Sequence, residues 1–372
     1  MTAHATGDRV VRAHAIGGPE VLRIDHLPPV PPGPGEVGLR IAAIGLNRAD
    51  AMFRRNTYIE KPDLPSRLGF EAVGRITALG AGVTGLHPGQ RVNVVPGAAL
   101  GPHGVCADWA NVPASRILPC PEGLDDPQAA ALWMSYGTPY GALIEVGGLT
   151  AGQRVLITAA NTTVGLAAIQ IARMVGAIPI ATVLSESLHQ PMLDAGAEGV
   201  IVAAREDLAT GLARIAPEGV DLAFDAVGGP QVTEIATAMR PFGTIIIHGA
   251  LSPDPTPFPL KIALRKNIAL RGCYYTSVTD DAAAPARAQG FLSAGIATGR
   301  IVPRIDRSFP LDQIQQAHAL AGKRPAVRQD RRDHGCRLTR AVSAAGRACG
   351  PQGPVPAAPA ARDAARRRRS RR

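Results

Sequence analysis

The chain has 372 residues, 46% of them apolar, which is enough to bury a core spread over two domains. No run of eighteen apolar residues occurs, and MTAHATGDRVVRAHA lacks a basic-then-apolar leader, so a helical membrane span is excluded and the cytoplasm is the expected compartment. The formal net charge of +10 is concentrated: fifteen Lys/Arg against three Asp fall after residue 320, leaving the first 320 residues near −2, so a uniformly basic nucleic-acid-binding body is excluded.

The first part of the chain, 1–124, is rich in Gly and Pro. Short β-type runs (EVGLRIAAIG, EAVGRITALG) are punctuated by PPVPPGPGE and VTGLHPGQRV, which predicts a small, irregular β unit. From residue 125 the texture changes. The β-branched runs RVLIT, IPIAT, GVIV, VDLAFDAV and GTIIIHG alternate with helix-length apolar segments, predicting a parallel, doubly wound sheet over 125–264. NIALRGCYY and RIVPRIDRSF return to the β texture, so 265–320 is expected to complete the first unit, with ligand in the cleft between the two. The fold class is α/β. The five cysteines are scattered without a C-x-x-C pair and read as reduced thiols. After 321 the Ala/Pro/Arg-rich composition predicts a disordered basic tail, the one place where RNA could bind.

The stretch ITAANTTVGLAAIQIAR, Ile157 to Arg173, runs from strand through turn to helix. Laid on G-x-G-x-x-G, it puts Ala160 and Thr162 at the first two glycine positions and keeps only Gly165. Thr162 or Thr163 can cap the helix, and their hydroxyls, the Asn161 amide and the Val164 N–H can face an anion. Taken alone, the turn is equally a dinucleotide site or a capped helix packed on a strand. The next strand ends at Thr182, Val183 and Leu184 without the Asp or Glu that would accept from ribose hydroxyls. That favours NADP over NAD, with Ser185, Ser187 and His189 as candidate partners of a 2′-phosphate.

GGPEVL, PGEVGLRIAAIGLNRADAMFR, LPSRLGFEAVGRITALGAGVTGLHPGQRV, AANTTVGLAAIQIAR, LDAGAEGVI, VDLAFDAVGG and RIVPRIDRSFPLDQIQQAHAL follow in order over about 10–320. Together they resemble the medium-chain dehydrogenase/reductase superfamily in its zinc-independent quinone-oxidoreductase branch. The resemblance implies a GroES-like catalytic domain with an inserted Rossmann domain, NADP(H) as cofactor, and a homodimer. It puts Asn47, Phe70 and Met134 at the positions where zinc-dependent relatives place their Cys, His and Cys ligands. An amide, a phenyl ring and a thioether do not make a zinc site, so no metal is expected.

Without a Lewis acid, hydride transfer to a quinone or an α,β-unsaturated carbonyl is favoured over alcohol oxidation. An enoyl-thioester or enone reductase is the alternative within enzymes, and a nucleotide-gated RNA-binding protein the alternative outside them. Asn47 and Tyr58 are the candidate donors to the developing oxyanion; the amide could equally serve its own loop and the phenol could be a packed aromatic. Asp50 is expected to organise the Asn47 loop, and Ala49 stands where relatives carry a relay hydroxyl. By motif, Thr138, Val227, Gly228, Gly249, Ala250, Leu251 and Ser252 fall to the cofactor; Phe70, Met134 and Tyr275 fall to the substrate pocket, with Tyr274 beside it.

Two departures stand out. Asn56 replaces a glycine common in relatives, and the closing apolar strand is missing, with VRQDRRDH (327–334) in its place. Read one base out of frame, VRQDRRDHG can encode FGKIVVTM, which raises the hypothesis that the chain beyond about 320 is a frameshift product.

Overall fold

The structure, a computed structural model, describes residues 7–275, 281, 283–321 and 337–341. Six parallel strands make the nucleotide-type sheet. In chain order they are Arg154–Ile157, Ile178–Val183, Gly199–Val202, Val220–Asp225, Met239–Ile247 and Ala269–Gly272, and across the sheet they lie 3-2-1-4-5-6. The order reverses between the first and fourth strands, which opens a crevice at their carboxyl ends. The inner strands are near-continuous apolar runs because helices cover both faces; Val155, Leu156 and Ile157 of the first strand are all buried.

The sixth strand corrects the expected boundary at 264. NIALRG pairs in parallel with Met239–Ile247, Thr244 opposite Ala269 and Ile247 opposite Gly272, and so belongs to this sheet, not to the returning β unit. It is an edge strand with mostly exposed residues, so its sequence lacks the buried-strand pattern of the others.

The β-rich unit holds a seven-stranded sheet centred on Glu36–Gly45, and a three-stranded sheet ordered Leu22–Leu27, Asp8–Ala13, Ser66–Arg67. One side of Glu36–Gly45 pairs antiparallel with Glu71–Leu79; the other is shared between Trp109–Pro113 and Arg337–Ala341. This last strand corrects a second expectation. Part of the segment expected to be a disordered tail forms a strand, parallel to Glu36–Gly45 and antiparallel to Ile305–Pro310. The VRQDRRDH segment and the arginine run lie outside the described residues.

Between the two sheets the chain passes through the helix Asp126–Ala130 and two π-helical turns, Trp133–Gly137 and Tyr140–Val146. Trp133, Tyr136, Tyr140 and Leu143 there share one buried core with Val155, Ile157 and Ala168 of the parallel-sheet unit and Val73 of the β-rich unit. The connection is therefore packed into both units. Among the described residues no helix is long and apolar enough to cross a membrane.

Candidate active site

The phosphate turn forms as a left-handed residue, Ala159 at φ +47°, leading into the helix Thr163–Met174. Thr162 caps it: its Oγ1 accepts from Gly165 N at 3.0 Å. The hydroxyl read as a phosphate donor is thus first of all a helix cap, although its own hydrogen remains available. A Cβ on Gly165 would come within 2.6 Å of the Ala160 backbone, so the third fingerprint glycine is required by contact of helix on turn. Ala167, Ala168 and Ala172 are buried and keep the rest of that face close to the sheet. The first-turn N–H groups of Thr163 and Val164 have no intrahelical acceptor, which leaves donors and the positive end of the dipole for an anion, with Asn161 beside them.

The other cofactor candidates also come together. Asp225, fully buried at the end of the fourth strand, accepts from Val227 N at 3.0 Å, Gly228 N at 2.9 Å and Thr158 Oγ1 at 2.6 Å. Gly228 sits at φ +66°. The turn after the fifth strand is laced onto this one: Leu251 N donates to Ala226 O and Ser252 N to Val227 O, at 3.2 and 2.9 Å. Gly249 is needed there, because a Cβ would meet Ala226 O at 2.6 Å. Sequence reading missed Asp225, whose signal was a lone carboxylate closing an apolar run.

At the end of the second strand, Ser185 and Ser187 hydroxyls lie 3.0 Å apart, and His189 opens the short helix that follows. Sequence reading found little positive charge here and no carboxylate. The structure adds a cation: Arg205, from the turn after the third strand, is ion-paired with Glu186, just past the second strand. Arg205 is distant in sequence, and only the strand order brings it to this corner.

The three positions that align with zinc ligands are gathered in one place, around a residue not singled out from sequence. Glu71 is buried; its Oε1 accepts from Asn47 Nδ2 and its Oε2 from Met134 N, each at 2.9 Å. Phe70 directly precedes it. Asn47 lies at the start of the helix Arg48–Arg54, where its backbone N–H donates to Asp50 Oδ2 at 2.9 Å. Asp50 therefore does organise the loop. Burial pushes both carboxyls, Glu71 and Asp50, up to about 7; the donors around each offset that only in part, and the Asp50 charge adds to the rise of Glu71. The donor set of amide, phenyl and thioether does not fit zinc, and among the described residues no three His, Cys, Asp or Glu side chains come together as metal donors.

Tyr58 stands against Phe70, ring centroids 5.2 Å apart and edge-on. Its hydroxyl accepts from the Tyr274 hydroxyl at 2.7 Å, and Tyr274 packs on Tyr275 with centroids at 4.3 Å. Burial holds the Tyr58 phenol above its usual range, so it stays protonated, with its own hydrogen free to donate. Thr138 Oγ1 bonds back to Met134 O at 3.1 Å, between the two π-helical turns. The arrangement offers hydrogen-bond donors, a buried carboxylate pair and a dinucleotide crevice.

A family model described as the alcohol dehydrogenase GroES-like domain matches residues 33–122, and one described as zinc-binding dehydrogenase matches 163–288. Quinone oxidoreductase of Lama guanicoe is 30% identical over 320 residues, covering 84% of this chain and 94% of its own. The chain belongs to the medium-chain dehydrogenase/reductase superfamily, in its quinone-oxidoreductase-like branch. The synaptic vesicle membrane protein VAT-1 homolog of Rattus norvegicus is likewise 30% identical, over 81% of this chain and 78% of its own. Among solved structures of this superfamily, Escherichia coli quinone oxidoreductase complexed with NADPH superposes with a TM-score of 0.76 at 28% identity, covering 89% of this chain and 99% of that one. A member of a branch of oxidoreductases, the chain carries the GroES-like and Rossmann-type units that its sequence led one to expect.

Proposed function

We propose that this oxidoreductase uses NADPH, without zinc, to reduce a quinone or an α,β-unsaturated carbonyl. The observation that carries the reading is the replacement of metal donors by hydrogen-bond donors: Asn47 fixed on Glu71 and Tyr58 fixed by Tyr274. When bound, the dinucleotide supplies the hydride. The protein's part is to hold and orient. The Thr163 and Val164 N–H groups and the Asn161, Thr162 and Thr163 side chains receive the pyrophosphate. Val227, Gly228, Gly249, Leu251 and Ser252 border the cofactor along the crevice, with Thr138 near its nicotinamide end. Arg205, Ser185 and His189 surround the 2′-phosphate. Asn47 and Tyr58 donate to the acceptor oxygen as negative charge develops on it, while Phe70, Met134 and Tyr275 give the pocket an apolar, aromatic wall suited to a flat conjugated acceptor.

The exposed edge strand Ala269–Gly272, with Leu260 and Leu264 exposed on the preceding helix, supports pairing of two copies as a homodimer. Mass measurement in solution by light scattering tests that pairing: a monomer at micromolar concentration overturns it. For the activity, the decisive experiment follows NADPH and NADH oxidation against quinone, enone and enoyl-thioester panels. Turnover of quinones or simple enones with NADPH preferred is expected. Exclusive turnover of enoyl thioesters, or of none, overturns the reading.

A further inference from the structure

We propose that Glu71 is the positioning residue of this site, a carboxylate clamp that holds the Asn47 carboxamide and the Met134 backbone in the arrangement that ligand bonds would otherwise impose. The clamp itself stands on hydrogen bonds; only the statement that Asn47 then serves the acceptor rests on the reductase reading above. Three observations support it. Glu71 is 2% exposed, yet each of its oxygens has a donor, one from either side of the junction between the β-rich unit and the π-helical connection. Room has been made for it: a Cβ on Gly45 would lie 2.5 Å from Glu71 Oε1 and 2.6 Å from its Cγ. Finally, Asn47 is fixed at both ends, its backbone N–H by Asp50 and its side chain by Glu71. Among the described residues the remaining amide hydrogen has Gly45 O as its acceptor, at 3.4 Å, a bond longer than the usual range and readily exchanged. That hydrogen is the one left for a substrate oxygen.

A glutamine cannot do the same work. Facing two donors, it has one acceptor oxygen and one NH₂, so either Asn47 or Met134 loses its partner and meets a donor instead. The test is a double-mutant cycle of E71Q and N47A, with kcat, KM and NADPH Kd measured for each. Expected are E71Q and N47A each at least about 10-fold down in kcat, with NADPH Kd within about 2-fold of the parent and the double variant no worse than the poorer single one. Wild-type kcat in E71Q, or fully multiplicative losses in the double variant, overturns the clamp. Crystal structures of the parent and E71Q provide a readout without turnover: the Asn47 carboxamide should leave its parent orientation in E71Q, and an unmoved side chain overturns the proposal. If the parent reduces no acceptor, the reductase reading falls while the crystal structures still decide the clamp. Should E71Q not fold, N47A alone decides, since unchanged kcat there leaves the clamp with nothing to position.

Discussion

Tyr58 shows how little of a donor's role lies in its own identity. The hydroxyl of Tyr274, 216 residues away in the chain, donates to it and so commits the Tyr58 hydrogen to another acceptor. Replacing Tyr58 by Phe should lower kcat about 100-fold with little change in NADPH Kd, as expected for one lost oxyanion donor. Tyr274→Phe should cost less, since it frees the Tyr58 rotor without removing it. Equal kcat for Y58F and the parent would remove Tyr58 from the mechanism. Glu71 carries a pH signature of its own. Its folded-state pKa, about 7, lies above the ordinary carboxyl value of 4.5, because burial penalises the ionised form by more than the Asn47 and Met134 donors offset; stability is therefore lost as pH rises from about 4.5 through 7 and the clamp ionises. The stability of the parent relative to E71Q should therefore fall from pH 5 to pH 8, by on the order of 2–3 kcal/mol, and the difference in Tm between the two should move in favour of E71Q. A difference independent of pH would show that Glu71 does not bind a proton in this window. Sequence exposed Asn47, Phe70 and Met134 through their motifs, yet passed over Glu71, because burial of a carboxylate is a property of its surroundings.

At the scale of the element, the phosphate turn was the most legible part of the chain. ANTTVG sits between an apolar strand and an alanine-faced helix, and the structure puts each feature where that order requires. What sequence could not divide was the work of Thr162 between capping and phosphate binding. Thr162→Val should cost about 1 kcal/mol of stability by removing the cap, and should also weaken NADPH binding, whereas loss of stability alone would limit Thr162 to the cap. The corner at the end of the second strand was misjudged as poor in charge, because its cation comes from the next strand. Arg205→Ala should weaken NADPH by about 10-fold and NADH hardly at all, the size of one lost charge-assisted contact. Equal losses for the two cofactors would remove Arg205 from 2′-phosphate recognition.

For the whole molecule, the order of units was legible and two of its limits were not. Inner strands such as VDLAFD announce themselves because both faces are covered; the exposed edge strand Ala269–Gly272 does not, because its neighbour, and not its own pattern, defines it. The strand Arg337–Ala341 has a composition that predicts disorder, and the position between Glu36–Gly45 and Ile305–Pro310 gives it partners on both sides. A chain ending at 341 should keep the Tm of the full chain, whereas one ending at 321 should melt several degrees lower, since Ile305–Pro310 then loses its partner strand. Equal Tm values would make that strand dispensable. Sequencing the gene across VRQDRRDHG decides the frameshift hypothesis: an unambiguous open frame there ends it.

The two ends of the catalytic unit meet across nearly the whole polypeptide. Arg9 pairs with Asp312 at 2.8 Å, and Gln315 Nε2 donates to Leu22 O at 2.9 Å. During synthesis, then, the N-terminal strands leave the ribosome first but must wait some 300 residues for these contacts. The parallel sheet, contiguous from Arg154 to Gly272, can close during that wait. The flanking unit can pair most of its strands early, but its last contacts must follow the inserted unit, which is complete in the chain before they can be made.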